Sequence, residues 1–229
     1  MQFRFQLLNT EGKPETLAVG FEYCIVTDWA RRDSGDSGTA TYERSELRLA
    51  RARQRPKFYP VANNQLTQSE RVQVVGPHST GAAEVLLFKH NHELFVSLVS
   101  DHTDRALEIQ SSALSKQLCA KPMARYAWRY DDVAPHWDEL EMRAWLIKED
   151  GHPELYQEGA LSTLLPPLEL VKHHFGHDDL PNNTAITCGT VTTVGKIRTA
   201  PTFVMELRDP KLERTLRHEY FIEILPLVD

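Results

Sequence analysis

"GAAEVLLFKHNHELFVSLVSDHTDR", residues 81–105, decides the fold class, because two apolar runs stand on either side of a short polar break. "GAAEVLLFK" and "HELFVSLVS" read as neighbouring strands, and "HNH" at 90–92 as the hairpin between them. Alternation places Glu84, Leu86 and Phe88 on one face and Val85 and Leu87 on the other. A lone glutamate sharing a face with leucine and phenylalanine needs a partner, since an unpaired buried carboxylate is costly. A divalent cation shared with Asp101 across the hairpin would supply one, and hard oxygen ligands suit Mg²⁺ or Mn²⁺. An arginine partner or a position at the strand end would serve as well.

The stretch continues as "SDHTDRALEIQSSALSKQLCAKP", residues 100–122, where six polar residues follow the apolar run directly. Thr103 suits an N-cap and Asp104 a first turn, and Ala106, Leu107, Ala113 and Leu114 give an apolar stripe, so a helix is expected over 103–117. On such a helix Arg105 and Lys116 lie about three turns apart on nearly one face and line one groove. The plainer alternative is a capped helix start with a solvated cationic face.

Outside this region strands dominate. Residues 1–27 read as two strands around "NTEGKP", the longer being "TLAVGFEYCIVT". "RVQVVG", "ELEMRAWLIKED", "LYQEGA", "TFVMELRDP" and "RTLRHEYFIEILPL" add further strands, and "PPLELVKHH" begins a helix with proline in its first turn. The sequence contains neither a repeat nor a linker, which predicts one strand-rich α+β domain over 1–229, with N-terminal strands, loop and basic helix in 1–79 and a core in 80–229. Residues 28–43 are rich in Gly, Ser and charge and are a candidate lid, with Arg32 and Asp33 able to reach a ligand. "RSELRLARARQRPK", 44–57, reads as a basic helix ended by Pro56, with Leu47 and Ala50 inward and the long cations solvated. The other use for that segment is an anionic ligand or a nucleic acid.

Composition narrows the classes. A chain of 229 residues with 41% hydrophobic and 25% charged residues is ordinary for a soluble globular protein, and no apolar window approaches the roughly 20 residues of a membrane helix. The opening residues alternate like a strand and lack a signal-peptide core, so a cytoplasmic protein is expected. A net charge of −6 argues against nucleic acid as a partner of the whole molecule. Cys24, Cys119 and Cys188 stand singly and offer neither a disulfide framework nor a metal knuckle. His173 and His177 in "HHFGH" have a metal-helix spacing but no HExxH, and there is no GxSxG elbow, phosphate loop or GxGxxG fingerprint. "LPNNTAITCGT" ends in Gly189 and Thr190, where the chain permits close backbone approach and offers N–H groups and a hydroxyl to an anion.

Taken in order, Glu84, "SDHTDR", Lys116, "YQEG" and "LPNNTAITCGT" resemble the motif series of the fumarylacetoacetate hydrolase superfamily over about residues 80–207. A closer similarity is to a bacterial branch marked by "SDHTDR...SKQ.C.KP" and an upstream "P.FYPV". The resemblance implies a C-terminal-domain-like mixed β-sandwich or roll with few helices, a homodimer, and a Mg²⁺ or Mn²⁺ site. It implies Glu84 and Asp101 as metal ligands, Lys116 and Arg105 as catalytic cations, and Gln157, Gly189 and Thr190 as contacts to a small-molecule substrate. The chemistry implied is hydrolysis, hydration or decarboxylation of a 2-oxo acid or 1,3-dicarbonyl compound. The chain departs from the pattern at Ala82, where the first glutamate of Glu-x-Glu is expected, and at Asn182 and Asn183, which replace Gly-Asp. Loss of one hard ligand at Ala82 opens the alternative of a degraded site serving as a small-anion or partner binding module.

Overall fold

Strand propensity and alternation build two mixed sheets. The computed structural model describes residues 1–8, 15–32 and 55–228. In chain order the strands are β1 (Phe3–Leu7), β2 (Glu15–Val19), β3 (Tyr23–Asp28), β4 (Lys57–Val61), β5 (Leu66–Thr67), β6 (Arg71–Val75), β7 (Ser79–Thr80), β8 (Ala83–His90) and β9 (Glu93–Ser100). They continue as β10 (Thr103–Asp104), β11 (Lys121–Pro122), β12 (Tyr126–Arg129), β13 (Glu141–Ile147), β14 (Pro153–Ala160), β15 (Thr184–Thr190), β16 (Thr202–Asp209) and β17 (Arg214–Leu225). One sheet runs β2-β1-β12-β9-β8-β15-β3-β4 and the other β14-β13-β16-β17-β6, with β10-β7 and β11-β5 as small separate pairs. This is the strand-rich α+β fold with few helices that the sequence predicts. Among the described residues no helix is long and apolar enough to cross a membrane.

Strand β8 is central because both its faces are buried. Val85 and Leu87 join Val96, Leu98, Trp128, Phe203 and Tyr220 in a core drawn from both sheets. Leu86 and Phe88 join a second core with Phe5, Phe21 and Phe95, where the Phe88 ring stacks on Phe5 at 4.7 Å and on Phe95 at 5.4 Å. Glu84 is thus the one charged residue in the buried run 83–88. The β8–β9 hairpin turns at Asn91 and His92, whose φ values of 50° and 68° are those a tight two-residue hairpin turn requires.

The strand directions gather particular ends together. β8 begins where its antiparallel neighbour β9 ends, with Ala83 opposite Ser100. β15 runs against β8 and finishes with Thr190 opposite Glu84, and β3 runs parallel to β15, so Asp28 at its close lies at the same edge. Four adjacent strands therefore deliver polar residues to one place.

Several sequence expectations change. The single helix over 103–117 is two: Thr103 lies in β10, Asp104 caps a four-residue helix Arg105–Glu108 by accepting the Leu107 N–H at 2.9 Å, and Ser111 caps a second helix, Ser112–Leu118. Ser111 draws the chain into extended backbone and so breaks the helix there. Arg105 and Lys116 consequently do not share a helix face. "TLAVGFEYCIVT" divides into β2 and β3 around Gly20–Glu22, and Lys57 lies on β4 rather than in a basic helix. The remainder of that basic segment, the "NTEGKP" turn and the candidate lid beyond Arg32, Asp33 included, lie outside the described residues. Gly176 ends the helix Pro167–Phe175 in the left-handed conformation, so His173 and His177 are not successive turns of one helix.

Alternation along β17 also turns His218 inward, where its Nε2 has no hydrogen-bond partner among the described residues. Burial first, and then the neighbouring Arg125 charge, hold its pKa down to about 4 from 6.5. The unfolded chain takes up this proton near 6.5 and the folded chain resists until about 4, so stability falls as pH is lowered through that window. The expected slope is about 1.4 kcal/mol per pH unit for this one group. Urea titrations from pH 7 to 4 should show that His218→Leu flattens the decline by that amount; an identical slope in the variant would assign it elsewhere.

Candidate active site

Asp101 follows β9 at once, and its N–H donates to the Ala82 carbonyl at 2.8 Å, which fixes the carboxylate at the sheet edge. Lys116 lies 2.5 Å from Asp101 Oδ2 and 2.9 Å from Oδ1 of Asp28, so one ammonium bridges two carboxylates. Its Nζ also stands 5.6 Å from the centre of the Tyr59 ring. A second lysine, Lys121, lies 3.3 Å from Asp101 Oδ1 and donates to the His102 carbonyl at 2.6 Å. Both lysines are buried. Behind them Tyr220 reaches in from β17, its hydroxyl 2.8 Å from Ser100 Oγ and 2.9 Å from His102 Nδ1.

Glu84 is held from the other side. Between Thr187 and Thr190 the β15 ladder carries one more residue than β8 opposite it, which is a β-bulge. Gly189 sits in that bulge with φ 81°, and its N–H donates to Glu84 Oε2 at 2.9 Å. Gln157 ties the second sheet to this point: its Oε1 accepts the Ala83 N–H at 2.9 Å and its Nε2 donates to Thr190 Oγ1 at 2.6 Å. The Thr190 hydroxyl in turn donates to the Ala83 carbonyl at 2.8 Å.

The charges are strongly unequal. Burial opposes ionisation of Asp101, yet Lys116, Lys121 and Arg105 outweigh it and hold the carboxyl well below the usual range. Glu84 goes the other way, pushed well up by burial and then by repulsion from Asp101. Asp28 is also raised, by burial first, with Lys116 easing and Asp101 reinforcing the effect. Burial disfavours the charged Lys116, but Asp101 and Asp28 overcome it and raise its pKa. For Lys121 burial prevails and the pKa falls.

Of the residues singled out from sequence, Glu84, Asp101, Lys116, Gln157, Gly189 and Thr190 come together. Arg105 stands beside them, its Nη1 on Glu108 at 2.9 Å and its buried Nε without a hydrogen-bond partner. The donors of Gly189, Thr190 and Gln157 are already engaged within the protein, so the sequence expectation that they face a substrate gains no open donor here. Arg32 points elsewhere, forming a two-bond contact with Asp138 at 2.8 and 2.6 Å. Two charged members, besides Tyr220, escaped the sequence reading. Asp28 reads as the start of a loop, and Lys121 as part of a closing turn; only the pairing of β3 with β15 and of β11 with β5 brings them in.

Asp28, Glu84 and Asp101 offer oxygen donors alone, the donor chemistry of Mg²⁺ or Mn²⁺. The buried Asp101 Oδ1 has no hydrogen bond, and Asp28 and Glu84 are both pushed up by burial and by their anionic neighbour. At Asp28 and Glu84 this is a deficit of positive charge, which a divalent cation would offset, while Asp101 Oδ1 faces the Lys121 ammonium at 3.3 Å. As the side chains stand, no three of the described His, Cys, Asp or Glu side chains form a ligand set; Lys116 engages Asp28 and Asp101 instead.

Residues 27–220 match the family described as "Protein of unknown function (DUF2848)". The chain belongs to this family. No curated protein sequence matches it. Among solved structures it is similar to a 2-keto-3-deoxyarabinonate dehydratase at 12% identity and TM-score 0.63, over 95% of this chain and 79% of that one. It is also similar to Cg1458 at 12% identity and TM-score 0.59, over 98% and 88% of the two chains. A third similar structure, at 14% identity and TM-score 0.60 over 90% and 74%, is 2-keto-3-deoxy-D-arabinonate dehydratase complexed with magnesium and 2,5-dioxopentanoate. At these identities the likeness is one of fold, and the chain shares the fold of those proteins.

The bulge makes a direct prediction. A Cβ at position 189 would stand 2.5 Å from the Ala30 Cβ, at a φ that side chains rarely adopt. Gly189→Ala should lower stability by about 1–3 kcal/mol in urea denaturation. Adding Ala30→Gly should recover the steric part and leave the backbone part.

Proposed function

We propose that the chain is a divalent-metal-dependent lyase or hydrolase acting on a small 2-oxo acid or 1,3-dicarbonyl compound. The observation that supports this reading is the convergence of Asp28, Glu84 and Asp101 from three strands beside the paired Lys116 ammonium. The three carboxylates would hold the cation, which when bound supplies Lewis-acid polarisation of the substrate oxo group.

The chain's own groups do the rest. Lys121 keeps Asp101 ionised from behind, and the ionised carboxylate keeps Lys116 charged. A charged Lys116 stabilises the negative charge that develops on the substrate oxygen, in a site where little water competes. Arg105 presents a planar guanidinium suited to a substrate carboxylate. Gln157, Thr190 and the Gly189 N–H lock Glu84 and its strand against the second sheet, a placing role.

The rival reading, a degraded anion-binding module, rested on Ala82 in place of a glutamate. Ala82 contributes only its backbone, accepting the Asp101 N–H and donating to Ser100 Oγ. Asp28, however, adds a carboxylate that the sequence reading did not count, and this favours the enzyme.

Turnover of a panel of 2-oxo acids and 1,3-dicarbonyl compounds with Mg²⁺ or Mn²⁺ tests the proposal. Asp101→Asn should reduce kcat/KM for the best substrate by about 10²–10³-fold, the effect of losing one charged group at the reacting centre. Absence of turnover across the panel, together with no metal binding by calorimetry, would overturn it.

A further inference from the structure

Lys116 is buried in the position where positive charge is most needed, and it bridges Asp101 and Asp28 at 2.5 and 2.9 Å. A divalent cation drawn to the same two carboxylates would stand within a few ångströms of that ammonium. Like charges so close in a buried site repel strongly. The ammonium and a divalent cation therefore compete for Asp28 and Asp101.

The mounting of Lys116 makes displacement feasible. Its helix, Ser112–Leu118, has seven residues, and only Ser115 and Lys116 are buried. Leu114 and Leu118 face outward, 59% and 47% exposed. Little apolar packing fixes the helix apart from the lysine itself, and the side chain has four methylenes with which to swing. Lys121 is fastened differently: its ammonium donates to the His102 carbonyl, within a network closed by Tyr220. Lys121 stays as a permanent counter-charge, whereas Lys116 is the exchangeable one.

We infer that Lys116 is a tethered counter-ion competing with a divalent cation for Asp28 and Asp101. A bound metal would take the carboxylate oxygens that the ammonium now holds, and Lys116 would then be free to face a substrate. This rests on the reading of Asp28, Glu84 and Asp101 as cation ligands. It goes further by making metal affinity and lysine position two sides of one equilibrium, since whatever displaces one favours the other.

The test is Mn²⁺ binding followed by electron paramagnetic resonance, on the wild-type protein and on Lys116→Met. Removal of the competitor should tighten Mn²⁺ binding at least tenfold. The metal-free variant should melt at lower temperature than wild type and regain stability as Mn²⁺ is added. A variant that binds Mn²⁺ where wild type does not would support the inference in its strongest form. Equal affinities would overturn it while leaving the metal site intact, and no binding by either protein would overturn the metal reading and the inference together. Should Lys116→Met not fold, amine labelling of the wild type read by mass spectrometry decides. Lys116 should be protected without metal and labelled with Mn²⁺ present; protection unchanged by bound Mn²⁺ would refute the exchange.

Discussion

Burying a carboxylate such as that of Asp101 costs several kcal/mol unless opposite charge and hydrogen bonds accompany it. Here two lysines share that task. Lys116 takes Oδ2, while Lys121 faces Oδ1 at 3.3 Å and donates to the His102 carbonyl. The arrangement reaches well beyond the pair. Lys116 anchors a short helix, and the His102–Tyr220–Ser100 contacts pin the turn after β9 to the second sheet. Asp101 ionises readily, and the same negative charge drives Glu84 toward its neutral form. Burial is the larger cause of the Glu84 shift, and the charge of Asp101 adds to it.

Strand direction does the positioning that no single motif could. Because β9 and β8 are antiparallel, β8 and β15 antiparallel, and β15 and β3 parallel, the relevant ends alternate between starts and finishes yet share one edge. A carboxylate buried in mid-sheet would be stranded; Glu84 lies one residue into its strand, where a bulge turns a backbone N–H toward it. Rigid strands hold these groups more firmly than loops would, which is what a site working through close-range charge requires.

Much of this could be read in the sequence, and the omissions share a cause. The hairpin at residues 90–92, the succession of strands and the awkwardness of Glu84 beside Leu86 and Phe88 all follow from local pattern. Gly189 was legible as a place of close approach, though not as the bulge it occupies. The helix over 103–117 failed because apolar spacing was weighed above Ser111, whose side chain competes locally for the backbone. Asp28, Lys121 and Tyr220 were missed for a different reason: each enters the site through pairing with a distant strand, and an aspartate at the end of one strand looks like any other. Conversely, Gln157, Gly189 and Thr190 were identified as neighbours by motif order, but their engagement within the protein depends on hydrogen-bond partners that order does not reveal.

The hydroxyl of Tyr220 bonds residues 118 and 120 positions earlier in the chain. During synthesis, therefore, Asp101 and both lysines leave the ribosome long before the strand that braces the turn beside them. Until then His102 Nδ1 and Ser100 Oγ lack the Tyr220 hydroxyl that braces them. The charged centre is a late product of folding, completed when β17 docks between β16 and β6. Any lesion that slows that docking would leave the most polar part of the molecule exposed longest, and the apolar strands flanking it exposed as well.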